Sequence, residues 1–137
     1  MRTLSAYIHI PFCASRCGYC DFNTYTAAEL SRDGTSITTT TYPDRVIAEI
    51  NWLRNQSLAE DRQIGTVFFG GGCPTMIPAA NLVRILDAAK TAYGFADDAE
   101  ITTEANPDSV SLENLETLRN GGFTRISFGH QSSARNV

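Results

Sequence analysis

The chain is poor in tryptophan and in basic clusters: one Trp in 137 residues, and a formal charge of −4 with no Lys/Arg block or stripe. Nucleic acid is therefore not an indicated partner. No apolar run approaches the length of a membrane span. The amino-terminal apolar stretch is short and interrupted by His9 and Pro11, so it does not read as a secretory signal. Composition is otherwise that of an ordinary globular domain, and the length suits one domain. Cysteine is also scarce, with four in all, yet three of them, Cys13, Cys17 and Cys20, fall within eight residues. Thiols reserved for metal in a chain without an export signal fit a reducing cytoplasm.

Three thiolates on one short loop can hold three corners of an iron–sulfur cube and leave the fourth iron open to a small molecule. Zinc is a competing reading, with Cys73 or a histidine completing a tetrahedron. Structural zinc sites usually pair their ligands as two separated knuckles, whereas here three sit in one loop. Disulfides between such close neighbours would form strained rings, and three is an odd number. Cluster, zinc and unligated thiols all remain open on spacing alone.

Strand-like and helix-like segments alternate along the length. Strands are expected over residues 6–11, 66–69, 100–105 and 124–128. A helix over 42–56 has Pro43 in its first turn and Val46, Ile47, Ile50 and Leu53 on one face. A second carries Leu82, Val83, Leu86 and Ala89 and stops at Gly94; a third carries Leu112, Leu115 and Leu118 and stops at Gly121-Gly122. Residues 31–41, rich in Ser, Thr and Gly, read as a mobile surface loop. This βα alternation predicts an α/β fold with a parallel sheet and right-handed crossovers, either a barrel or an open doubly wound sheet. A fourth parallel strand with no helix after it would be a bare edge, so the chain reads as the front part of a larger barrel.

In parallel α/β folds, binding residues gather at the carboxyl ends of strands. The cysteine loop, Gly70-Gly71-Gly72, Glu104-Ala105-Asn106-Pro107 and Gln131 each follow such an end. A glycine triplet is either a tight turn or a close backbone approach to a ligand. Glu104 shares strand parity with Glu100 and Thr102, while Ile101, Thr103 and Ala105 take the opposite face. It is either a solvated strand end or a carboxylate placed for a ribose or amine. Tyr7 and His9 also share a face, and His9 suits a hydrogen-bonded core position better than a metal ligand.

The run Tyr7-x-His9-x-Pro11-Phe12-Cys13-x3-Cys17-x-Tyr19-Cys20-Asp21-Phe22 resembles the opening of the radical S-adenosylmethionine (SAM) proteins of the HemN/HemW group. Gly70-Gly71-Gly72-x-Pro74-Thr75, Glu100 to Pro107, and Arg125-Ile126-Ser127-Phe128-Gly129-x-Gln131-Ser132 match its later motifs in order. The resemblance implies the N-terminal part of a partial (β/α)6 TIM-type barrel with parallel strands, open after the fourth, over residues 1–137. Further barrel units and a carboxyl-terminal domain would lie outside the chain. It implies a [4Fe–4S] cluster on Cys13, Cys17 and Cys20, with SAM chelated on the open iron and cleaved reductively to methionine and a 5′-deoxyadenosyl radical. Such cleavage would belong to the longer protein rather than to this portion alone. Tyr7 would lie beside the cluster, Tyr19 against adenine, Gly71 and Gly72 at the amino-acid end, and Glu104 and Gln131 at the ribose. Cys73 would join the cofactor-binding set, although it stands where the group usually has threonine, a stronger hydrogen-bond donor; His130 stands where it usually has an apolar residue.

Phe22 occupies the position at which the coproporphyrinogen dehydrogenases of the group carry a further cysteine. The resemblance is thus to the haem-chaperone branch, with haem or another tetrapyrrole, an electron donor and a haem-receiving protein as implied partners. A coproporphyrinogen III dehydrogenase and a non-enzymatic zinc-stabilised module are the alternatives. No residue is assigned a catalytic role.

Overall fold

Apolar residues at every second position, many of them β-branched or aromatic, make strands that bury one face. In the computed structural model, which describes residues 2–13, 25–26, 29, 37–56 and 60–129, four long strands form one sheet. They are β1 (Arg2–Ile10), β4 (Arg62–Gly71), β5 (Phe95–Ala105) and β6 (Arg125–Phe128), hydrogen-bonded in that order. Every pairing is parallel. Chain order and spatial order coincide, so each crossover steps the same way, and among the described residues the three long helices cover one face. This is the arrangement of a barrel wall and lacks the reversal of a doubly wound sheet.

Three helices supply the crossovers: α1 (Tyr42–Asn55), α2 (Ala79–Tyr93) and α3 (Leu112–Asn120). α1 packs on α2, and α2 on α3. Pro43 lies in the first turn of α1. Gly94, at φ 72°, ends α2, and Ser111 accepts a hydrogen bond from the Asn114 amide to cap α3. The core lies between sheet and helices. Ile8, Ile10, Val67, Phe69 and Ile101 meet Val46, Leu82, Ile85, Leu86, Leu118 and Phe123 there. The other face of the sheet carries Tyr7, His9, Phe68, Gly70, Thr102 and Glu104, as strand parity requires.

Three strands begin earlier than the sequence predicts, at Arg2, Arg62 and Phe95. These extra ladder positions mix polar residues with Leu4, Ile64, Phe95 and Ala99, which pack in or against the core, and they include register irregularities at Leu4/Ser5 and Ile64/Thr66. The described end of the Ser/Thr-rich stretch is structured: Ile37 packs against the core, and the Thr41 hydroxyl accepts from the Thr38 amide at 2.8 Å. Residues 31–36 lie outside the described residues.

Candidate functional site

The upper rim of the sheet is built outward from β1. Beyond Ile10 the chain enters a second, two-residue parallel pair, β2 (Phe12–Cys13) with β3 (Tyr25–Thr26). The Tyr25 amide donates to the Pro11 carbonyl at 2.6 Å. Both ends of the cysteine loop are therefore pinned together. Thr26 and Glu29 complete the anchor reciprocally, the Thr26 amide donating to the Glu29 carboxylate at 2.6 Å and the Glu29 amide to the Thr26 hydroxyl at 3.3 Å. On its other side β2 is held by the glycine segment. The Gly72 amide donates to Ile10 O and the Cys73 amide to Phe12 O, each at 2.7 Å.

Each glycine of the triplet makes room for a different neighbour. A Cβ at Gly70 would stand 3.2 Å from a Glu104 carboxylate oxygen and 2.8 Å from the Phe68 ring. At Gly71, where φ is +113°, it would meet the His9 ring at 2.7 Å. At Gly72 it would stand 2.3 Å from the Phe12 carbonyl oxygen and 2.9 Å from Cys13 Sγ. The triplet is both a bend and a close approach, and what approaches it is Glu104, His9 and the first cysteine.

Tyr7 is 58% exposed and lies on Phe68, ring centroids 6.2 Å apart and nearly parallel. Its hydroxyl is 3.1 Å from His9 Nδ1. Desolvation against the rim and then the charge of Glu104 raise the Tyr7 phenol above its ordinary range. The His9 carbonyl accepts from the Tyr42 hydroxyl at 2.7 Å, and the Tyr42 ring meets Phe12 edge-on. Helix α1 thus braces the start of the cysteine loop from behind.

Cys73 is turned away from this surface. Its thiol is 3.4 Å from the Thr75 hydroxyl and 3.5 Å from the Ser109 hydroxyl. Burial raises the thiol pKa, but hydrogen bonding with the Ser109 and Thr75 side chains and the Asn106 and Thr75 backbone outweighs it, and the net shift is downward. Of the predicted site residues, Tyr7, Cys13, Gly71, Gly72 and Glu104 meet at one rim, with Cys73 beneath it. Cys17, Tyr19, Cys20, Phe22, His130 and Gln131 lie outside the described residues. Phe68, Tyr42 and Ser109 were not singled out by sequence. Phe68 could have been, since it shares the parity of Tyr7's neighbours.

Residues 7–137 match the Radical SAM superfamily. The chain belongs to that superfamily. Among curated relatives it is 41% identical over 138 residues to the heme chaperone HemW of Mycobacterium tuberculosis, covering 99% of this chain and 33% of that protein. It is 37% identical over 131 residues to HemW of Escherichia coli, covering 94% and 32%. The chain thus spans about a third of the length of these relatives. A solved structure, that of coproporphyrinogen III oxidase (HemN) from Escherichia coli, described as a radical SAM enzyme, superposes with a TM-score of 0.82. It is 31% identical, and the match covers 98% of this chain and 29% of that one. The parallel α/β wall is that fold, and the partial barrel expected from sequence is the architecture observed. Among the described residues, no helix is long and apolar enough to cross a membrane.

Proposed function

We propose that this chain is the cluster- and SAM-binding part of a haem chaperone of the HemW kind, working in the cytoplasm. The observation that carries the reading is the seat of Cys13. Its sulfur lies over a position where only hydrogen fits, at the same rim as Tyr7 and Glu104. The donor set suits a [4Fe–4S] cluster: Cys13, Cys17 and Cys20 would hold three irons, on a loop whose two ends are clamped by β2 and β3. Bound there, cluster and SAM supply reductive cleavage of a sulfonium. The protein's own part is placement and exclusion of water. Gly71 and Gly72 would present backbone groups to the amino-acid end of SAM. Glu104, half-buried beside Gly70, would accept hydrogen bonds from its amine or ribose. Tyr7 would cover the cluster edge, Tyr19 the adenine, and Gln131 the ribose. An electron donor and a haem-receiving protein follow as partners.

The test is anaerobic reconstitution of the protein at its natural length with iron and sulfide. About four irons per chain and a broad absorbance at about 400 nm that dithionite bleaches are expected. A colourless product, or zinc with no iron uptake, overturns the reading and favours a zinc-stabilised module. The likeness to HemN favours one second reading, a coproporphyrinogen III dehydrogenase. Phe22 weighs against it. Haem capture without loss of coproporphyrinogen supports the chaperone; 5′-deoxyadenosine formation with coproporphyrinogen consumption supports the enzyme.

A further inference from the structure

Two strand ends, β4 and β5, are each followed at once by a short proline-led 3-10 turn: Pro74–Met76 and Pro107–Ser109. The turns touch through side-chain hydroxyls. Thr75 and Ser109 are hydrogen-bonded to each other, Oγ1 to Oγ. Ser109 Oγ donates to the Asn106 carbonyl at 2.7 Å and accepts from the Cys73 thiol at 3.5 Å. A hydroxyl has one proton to give and two lone pairs to receive with. Ser109 gives its proton to Asn106 and accepts from Thr75 and Cys73, so its capacity is filled. The segment just before one turn is Gly71-Gly72-Cys73, and the segment just before the other is Glu104-Ala105-Asn106. Ser109 is therefore the tie that sets how far the glycine backbone stands from Glu104.

We infer that Ser109 is a positioning residue for the SAM site: through Thr75 and Cys73 it fixes the spacing between the Gly71–Gly72 backbone and the Glu104 carboxylate. It does not touch the cofactor; it holds together the two groups that do. This rests on the SAM-binding reading above. The same loop contains an internal control. Ser111 caps α3 by accepting from Asn114 N at 3.2 Å, a bond that serves helix stability alone.

The experiment compares Ser109→Ala, Ser109→Thr and Ser111→Ala in the iron-loaded protein at its natural length, measuring SAM affinity by equilibrium dialysis, iron per chain and melting temperature. Ser109→Ala should keep its iron and bind SAM about tenfold more weakly, the loss expected for one or two hydrogen bonds' worth of order. Ser109→Thr should bind within twofold of wild type. Ser111→Ala should melt about 2–4 °C lower with unchanged SAM affinity. If Ser109→Ala binds SAM within twofold of wild type, or if both alanine variants weaken binding alike, the inference is overturned. Should Ser109→Ala yield no folded, iron-loaded protein, Thr75→Val carries the same test, since it removes the hydroxyl that donates to Ser109. Wild-type protein that takes up no iron or binds no SAM overturns the SAM-site reading itself. Wild-type binding with unaffected variants overturns only the role of Ser109.

Discussion

Substituting Gly72 by alanine is the sharpest test of how the glycine segment and the cysteine loop depend on each other. The new methyl would stand 2.3 Å from Phe12 O and 2.9 Å from Cys13 Sγ. The first contact is about 1 Å inside ordinary non-bonded separation. The obstacle is backbone, so no rotamer change relieves it. Either β2 moves off, releasing the 2.7 Å bond from Cys73 N to Phe12 O, or the glycine segment does, releasing that from Gly72 N to Ile10 O. Overpacking of this kind costs about 1–3 kcal/mol and each lost backbone bond about 1 kcal/mol, so a total of about 2–4 kcal/mol is expected.

Stability alone would not distinguish this from ordinary damage, and Gly94 supplies the comparison. At φ 72° and ψ 157° it occupies backbone space that is essentially glycine's own, while nothing lies within 4 Å of a Cβ there. Gly94→Ala should cost about 1–3 kcal/mol through strain, far from the cysteines. Denaturant midpoints of the apo-proteins should fall for both variants. After anaerobic reconstitution, Gly94→Ala should hold wild-type iron and Gly72→Ala less than half of it. Equal iron in the two variants would refute the idea that Gly72 seats Cys13.

The remaining expectations are simpler. Leu82, fully buried between α2 and the sheet, should cost about 2–5 kcal/mol on replacement by alanine, read from denaturant unfolding. Tyr42 has its phenol pKa raised above the ordinary value of 10.0 by burial first, then by Glu49 and Tyr7. A group that holds its proton more tightly when folded contributes stability below its unfolded pKa and loses it as pH climbs through the folded one. Tyr42→Phe should therefore cost about 1 kcal/mol at neutral pH, through the lost bond to His9 O. That deficit should shrink in melts above pH 10; a constant deficit would contradict it.

Strand parity was legible in the sequence because its period is two: Tyr7 with His9, and Glu100 with Thr102 and Glu104, share faces as the alternation requires. Helix ends were legible through Pro43, Gly94 and Gly121, whose backbone preferences are local. Strand beginnings were not. Residues 62–65 and 95–99 have little apolar alternation, and β4 and β5 meet there only at Ile64 and Phe95 before the regular pairing resumes at Thr66 and Glu100. The Ser109 cluster was invisible for a different reason. Its bonds join residues 34 and 36 positions apart, and each end sits in a turn whose placement depends on the whole sheet. The four motif-bearing strand ends converge as expected for those that are described; the parts carrying Tyr19, Cys17, Cys20 and Gln131 lie outside the described residues.

The direction of the Cys73 side chain bears on which metal the loop suits. Backbone at Cys73 is extended, φ −123° and ψ 94°, and consecutive side chains of an extended segment leave on opposite sides. The Gly72 position faces Cys13 Sγ at 2.9 Å, so position 73 faces the other way, toward Thr75 and Ser109. Bringing Cys73 to the loop cysteines as a fourth sulfur would require this segment to turn over and release its 2.7 Å bonds to Ile10 O and Phe12 O. Three loop sulfurs and an open corner need no such change. Cys73→Ser should then keep the metal content of wild type after reconstitution, while Cys13→Ser loses most of it. If the two variants lose metal equally, Cys73 is a ligand, and the alternation argued from Gly72 is wrong.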